Sequence, residues 1–340
     1  MENRKPKIAI SVGDINGIGP EIIIKTLSHP SILKLCTPVI YGPSKAFSYY
    51  KKLFKEENFH FHNIDTIDEV VKEKINLINT YPKNVQVEVG QATEKAGEIA
   101  FLSLEKATND LINKKVDALV TAPINKQNIR RKEFQYAGHT GYITHKAGAK
   151  DSLMMMVGEG LRVALATTHI PISEVASKIT RALLFKKLIL LKDTLTQDFG
   201  ISKPKIALMG LDPHAGDNGV IGSIDKKIVL PLIEEIKEQG GLLFGPFGTD
   251  GFFGAFEYKK YDAVLGMYHD QVLTPFKLLH FDDGVNYTAG LPVIRTSPDH
   301  GTAYAIAGKG IANEGSFRSA FFMAIDIFKS RSKLSAALSN

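Results

Sequence analysis

The chain has 340 residues, more than a single typical domain of roughly 100–200 residues holds, so two lobes are expected. Hydrophobic residues at 44% and charged residues at 23% are those of an ordinary folded protein and exclude a disordered or fibrous chain. The net charge of +6 comes from scattered lysines and arginines, many beside Glu or Asp, which excludes a nucleic-acid-binding stripe and leaves a modest attraction for small anions. Met1 to Lys7 leads straight into an apolar strand pattern without a signal-type core, and no apolar run reaches the roughly 18 residues of a membrane helix, so cytoplasmic residence is expected. Cys36 is the single cysteine, which leaves a metal to be held by His and carboxylate ligands.

In chain order, a strand is predicted over Lys7–Val12, then a glycine-bearing turn, Gly13-Asp14-Ile-Asn-Gly-Ile-Gly-Pro-Glu21, which opens a helix over Gly19–Ser28 with Pro20 in its first turn. The turn lacks the Gly-x-Gly-x-x-Gly spacing of a Rossmann fingerprint, and a plain strand-to-helix turn explains its glycines nearly as well. A strand at Val39–Tyr41, a helix at Gly97–Asn113 and a strand at Val116–Thr121 follow, the last leading to Asn125 and Lys126 in a loop. His139 and Thr140 sit in a second polar loop after Ala-Gly. Strands are predicted at Arg162–Ala166, Lys205–Met209 and Ala263–Met267, with helices at Thr180–Asp198 and Asp225–Gln239 between them. Lys277, Asn286 and Arg295 supply three potential anion donors around the turn Asp282-Asp-Gly284, overlapping a strand predicted at Pro292–Arg295. Ser297 to Asn313 is small, polar and glycine-containing, the composition of a ligand-holding loop, and a closing helix is predicted over Ser316–Lys329. The alternation of strands and helices implies an α/β fold.

His169, His214 and His269 each stand just after a predicted strand. In open α/β sheets the carboxyl ends of strands line the functional crevice, so imidazoles from separate strands can converge there on a divalent metal while leaving coordination positions open. The alternative is three unrelated polar loop histidines, the better reading of any one of them taken alone.

The loop pattern His300-Gly301-Thr-Ala-x-x-x-Ala-Gly-Lys-Gly-Ile-Ala-Asn313 resembles the adenosine-binding loop of isopropylmalate and isocitrate dehydrogenases, and Gly13-Asp14 with Gly17-Ile-Gly-Pro-Glu21 resembles their N-terminal motif. Taken with Thr121-Ala-Pro-Ile-Asn-Lys126, Gly138-His-Thr140, Thr167-Thr-His-Ile-Pro171, Asp212-Pro-His-Ala-Gly216, Tyr268-His-Asp-Gln271 and Arg295-Thr-Ser-Pro-Asp-His-Gly301, the chain resembles the 4-hydroxythreonine-4-phosphate dehydrogenase family over nearly its whole length. The resemblance implies two α/β/α lobes about a central cleft, isocitrate/isopropylmalate dehydrogenase-like rather than Rossmann. It assigns residues 1–125 with 290–340 to nucleotide binding, and residues 126–289 to metal, substrate and dimerisation.

It further implies a homodimer whose active site is shared between subunits, with no nucleic-acid or membrane partner. Carried over by motif, His169, His214 and His269 are the metal ligands, one of them from the neighbouring protomer. His139, Thr140, Lys277, Asn286 and Arg295 contact the substrate, Asp250 and Lys277 are the candidates for proton transfer, and Gly13, Asp14, His300, Gly301 and Asn313 contact the cofactor. The expected reaction is NAD- or NADP-dependent oxidation of 4-(phosphooxy)-L-threonine with a divalent metal (Zn, Mg or Co). The product, 2-amino-3-oxo-4-(phosphooxy)butanoate, decarboxylates to 3-amino-2-oxopropyl phosphate in pyridoxal 5'-phosphate biosynthesis. Ala305, where related loops often carry an acidic or basic residue, leaves the choice of NAD or NADP open. The chain departs from the family pattern at Gly141, where Glu is common, at Thr249 before Asp250, and at Asp217-Asn218. Rival readings are a dehydrogenase of a phosphothreonate-type acid, a three-histidine metal hydrolase and a non-catalytic phosphometabolite-binding protein.

Overall fold

A computed structural model describes residues 4–338; residues 1–3 and 339–340, the outer ends of the nucleotide-binding lobe as read from the sequence, lie outside the described residues. The chain begins β1 (Lys7–Ser11), α1 (Gly19–Leu27), α2 (Ile32–Leu35), β2 (Thr37–Tyr41), α3 (Ser44–Phe54), β3 (Phe61–Ile64), β4 (Ile75–Ile78), α4 (Glu94–Ile112), β5 (Ala118–Thr121) and α5 (His139–Lys146). It continues through β6 (Leu153–Gly158), β7 (Leu161–Leu165), α6 (Ile172–Lys178), α7 (Arg181–Gln197), β8 (Ile206–Met209), α8 (Leu230–Glu238), β9 (Leu243–Phe247), α9 (Thr249–Gly254), β10 (Ala263–Gly266), α10 (His269–Leu279) and β11 (Val285–Ala289). β12 (Arg295–Pro298) and α11 (Gly315–Leu338) close it.

Two compact units result: the described residues up to Lys150 together with those from Leu291 onward, and Asp151–Gly290. The first crossing therefore falls at Lys150 rather than at residue 125. The reason is packing: Ile129, Phe134, Tyr142 and Ile143 are buried with Phe101 and Leu104 of α4 in the first unit's core.

In the first unit the strand order is β3-β4-β2-β1-β5-β12, and every pair is parallel. β1 from Ile8 on, and all of β2, β4 and β5, are buried, as continuous apolar runs in a parallel sheet must be. Helix α4 lies against β1, β2 and β5, and α11 against β5 and β12. The Thr93 hydroxyl caps α4 by accepting from Ala96 N–H at 3.2 Å.

The second unit is ordered β11-β6-β7-β10-β8-β9, with β11, β6 and β7 antiparallel and β7, β10, β8 and β9 parallel. Val163, Leu165, Ala207, Val264, Phe252 and Phe276 form its core. The Thr180 hydroxyl caps α7 through Leu183 N–H.

The seven predicted strands are present, with one displaced. Pairing in β12 starts at Arg295, opposite Leu119, instead of covering Pro292–Arg295. Proline cannot donate to the ladder, and the apolar residues before Arg295 pack into the core as an approach segment. The helix expected over Asp225–Gln239 opens with a wider turn at Asp225–Val229 before α8.

Candidate active site

The second unit orders the three strand-end histidines. β7, β10 and β8 are neighbours and run parallel, so His169, His269 and His214 all leave the sheet at its carboxyl edge. The His169 and His269 rings lie with centroids 5.6 Å apart. His269 opens α10, and its Nδ1 pairs with Asp270 Oδ1 at 2.6 Å, the kind of carboxylate contact that orients a metal-binding imidazole. His214 does not join them: among the described residues no group of three His, Cys, Asp or Glu is close enough to hold a metal ion.

His214 is set by an unusual backbone. Residues His214 to Asn218 all have positive φ, between 42° and 74°, a left-handed turn that costs roughly 1–2 kcal/mol for each non-glycine residue and persists only where its surroundings enforce it. The approach to this turn is fixed by Asp225, 1% exposed, whose carboxylate accepts from Leu211 N–H at 2.9 Å and from Asp212 N–H at 3.2 Å. Burial pushes its carboxyl pKa upward. Asp250, exposed in the first turn of α9, neighbours His214 across Gly248: a Cβ there would meet His214 Cα at 3.5 Å and Asp250 Oδ1 at 3.6 Å.

Asn286 lies in β11, paired with Met156, and Lys277 in the last turn of α10. The three donors that the sequence sets within a short stretch are thus divided, for Arg295 begins β12 in the first unit.

In that first unit Arg295 is 2% exposed. Its guanidinium donates to the Thr121 hydroxyl at 2.7 Å and to the Thr140 hydroxyl at 3.4 Å, and burial pushes its pKa down to about 9, leaving it charged at neutral pH. His139 and Thr140 begin α5, whose preceding Gly138 brings no side-chain cap, so the positive end of the helix is left to other acceptors. His139 Nε2 is enclosed without a hydrogen-bond partner. Burial first, then the charges of Arg295 and Lys126, hold its imidazole well below the usual range. A neutral imidazole, a buried guanidinium, two hydroxyls and a helix N-terminus form a pole suited to a phosphate or carboxylate.

The residues read as cofactor contacts separate into two groups. Gly13 is buried at positive φ, and a Cβ there would run into the Pro123 carbonyl. Asp14 is fully buried: Oδ1 accepts from Asn16 N–H at 2.9 Å, and Oδ2 from Asn128 Nδ2 and the Tyr304 hydroxyl, both at 2.7 Å. These two residues hold the loops together. His300, Gly301 and Asn313 stand on the loop itself. Among the described residues nothing beyond its chain neighbours lies within 4 Å of where a Cβ at Gly301 would stand, and Asn313 Oδ1 accepts from Gly315 N–H at the start of α11. The loop is tied to α1 by Glu21 Oε1, which accepts from Ala312 N–H at 2.8 Å, and by Lys25 Nζ, which donates to the Gly310 and Ala312 carbonyls.

Sequence reasoning missed Thr121, Asn128, Tyr304 and Asp225 as partners of these residues. Thr121 and Tyr304 lie within motifs already noticed, whereas Asp225 carries no local signal.

A family model for the pyridoxal phosphate biosynthetic protein PdxA matches residues 34–324. A 4-hydroxythreonine-4-phosphate dehydrogenase of Bacteroides thetaiotaomicron is 46% identical over 341 residues, covering 100% of this chain and 93% of the relative. The crystal structure of a 4-hydroxythreonine-4-phosphate dehydrogenase from Klebsiella pneumoniae superposes with a TM-score of 0.83 at 34% identity, covering 96% of this chain and 99% of that one. Isocitrate dehydrogenase from Methylococcus capsulatus shares the fold, with a TM-score of 0.52 at 15% identity, covering 98% of this chain and 89% of that one.

Proposed function

Because the chain belongs to the family of the pyridoxal phosphate biosynthetic protein PdxA, we propose that it is an oxidoreductase that oxidises 4-(phosphooxy)-L-threonine with NAD or NADP and a divalent metal. The observation that carries the reading is the placement of His169, His269 and His214 on three adjacent parallel strand ends, with two of the rings already side by side.

The donor set fits a borderline cation such as zinc or cobalt. Among the described residues His214 does not group with His169 and His269, and in this reading those two would hold the metal together with the His214 of a second copy. When bound, the metal supplies Lewis-acid polarisation of the substrate's hydroxyl and carboxylate oxygens. The chain's own residues do the rest. Arg295, Thr140 and the start of α5 hold an anionic group of the substrate, with Lys277 and Asn286 as further donors. Asp250 or Lys277 would take the proton of the substrate's hydroxyl, and a bound nicotinamide nucleotide would supply the hydride acceptor for the carbon that bears it. The β-keto acid so formed loses carbon dioxide. His300, Gly301 and Asn313 offer the cofactor an open loop surface, and Ala305 brings no charge to its ribose.

A second copy is the expected partner. Leu278 and Phe281, 82% and 77% exposed beside Lys277, are apolar surface that a dimer would cover.

The test is nicotinamide reduction followed by absorbance, with purified protein, 4-phosphohydroxy-L-threonine, either nucleotide and added metal, beside a chelated sample and His214→Ala. Metal-dependent reduction that the variant loses is expected. Phosphoester cleavage without nicotinamide would move the assignment to a metal hydrolase.

One departure favours a second substrate. Gly141 brings no carboxylate to the first turn of α5, where Glu is common in the family, and a non-aminated phosphothreonate-type acid is the alternative to profile in the same assay.

A further inference from the structure

The backbone register between β10 and β8 ends at Leu265 with Leu208. Just beyond it, a side chain takes over the ladder. Gln271, 7% exposed, accepts from Met267 N–H through Oε1 at 2.7 Å and donates from Nε2 to the Gly210 carbonyl at 2.6 Å. On the other flank, the Met267 carbonyl accepts from Thr167 twice, from its N–H at 3.1 Å and its hydroxyl at 2.7 Å. Both polar groups of the Met267 peptide are thereby fixed, and Met267 itself is 0% exposed.

The sequence positions of these groups give the contacts their meaning. Thr167 lies two residues before His169, Met267 two before His269, Gln271 two after it, and Gly210 four before His214. We infer that Gln271, seconded by Thr167, is the positioning residue that sets the β10 and β7 ends carrying His269 and His169 and, through Gly210, the β8 end whose His214 serves the site of a second copy, an inference that rests on the metal-site reading above. An amide suits the place because it presents an acceptor and a donor side by side. A carboxylate offers acceptors alone, and a thioether of the same length offers neither strong donor nor strong acceptor. Packing alone would be served by methionine, so the amide serves register.

Cobalt(II) titration of the full-length protein tests this, with visible absorption reporting coordination geometry. The variants are Gln271→Glu, which keeps the bond to Met267 and loses the donor to Gly210, Gln271→Met, which loses both, and Thr167→Val, which loses one hydroxyl bond. Thermal unfolding of the metal-free protein and binding of inorganic phosphate are measured alongside. Metal affinity is expected to fall about 10- to 100-fold in both Gln271 variants, the range seen when groups supporting metal ligands are altered. The cobalt spectrum changes, Thr167→Val shows a smaller effect, phosphate binding stays near that of the unaltered protein, and the metal-free Gln271 variants unfold at lower temperature but remain folded under the conditions of the titration. Unchanged affinity and spectrum in both Gln271 variants would overturn the inference. So would a loss that merely tracks lowered thermal stability and phosphate binding, the mark of a packing role. If cobalt binding by the unaltered protein is absent or insensitive to His169→Ala, the metal-site reading itself fails and takes this inference with it.

Discussion

His139 combines an enclosed Nε2 with two cationic neighbours, and its folded-state pKa lies well below the usual value of about 6.5. The unfolded chain therefore takes up a proton near pH 6.5 that the folded chain refuses. Proton binding is greater in the unfolded state below that pH, so stability is fully present above it and declines as pH falls, by at most about 1.4 kcal/mol per pH unit. Urea unfolding at several pH values should show this decline, and His139→Gln should flatten it. Equal slopes for the two proteins would mean that His139 titrates normally. Arg295 behaves differently, since a pKa of about 9 leaves it charged throughout this acid-to-neutral range.

The segment between β12 and α11 has little regular structure, yet it is held at several points. Its residues Gly310 and Ala312 reach α1 through Lys25 and the fully buried Glu21, whose carboxylate and ammonium meet at 2.8 Å. Lys25→Met would leave that carboxylate buried without its cation and release two loop carbonyls, a loss of about 3 kcal/mol on the scale of broken buried pairs. Denaturant unfolding should register the destabilisation, and steady-state kinetics a KM for the nicotinamide nucleotide that rises more than the KM for the phosphorylated substrate. A variant with native stability and native KM values would show that the loop is held by other contacts.

At the scale of the molecule, chemistry is divided between units: the histidine edge belongs to Asp151–Gly290, and the buried anion pole to the other unit. If a second copy completes the histidine set, association and metal binding must fail together. The double substitution Leu278→Asp with Phe281→Asp, placed on exposed apolar side chains, should halve the mass measured by sedimentation and lower metal uptake in parallel. A monomer that binds metal as tightly as the unaltered protein would refute the shared site. Among the described residues no helix is long and apolar enough to cross a membrane.

From residue order alone came the α/β alternation, the strand-end address of the three histidines, and the motifs that resemble one family. These are local signals: continuous apolar runs such as those of β5 and β8 mark strands buried on both faces, and the polar residues that follow them mark the functional edge. β3, with two exposed positions, and β11, with polar residues, carry no such signal, and Pro275 obscures α10. Tertiary structure decided what depends on contacts between distant segments. Residues 126–150 join the first unit because their aromatic residues find Phe101. Asp14 turns inward because Asn128 and Tyr304 meet it, and the approach to His214 is fixed because Asp225 holds the Leu211 and Asp212 amides. A single sequence records which groups can donate and accept; folding decides which of them meet.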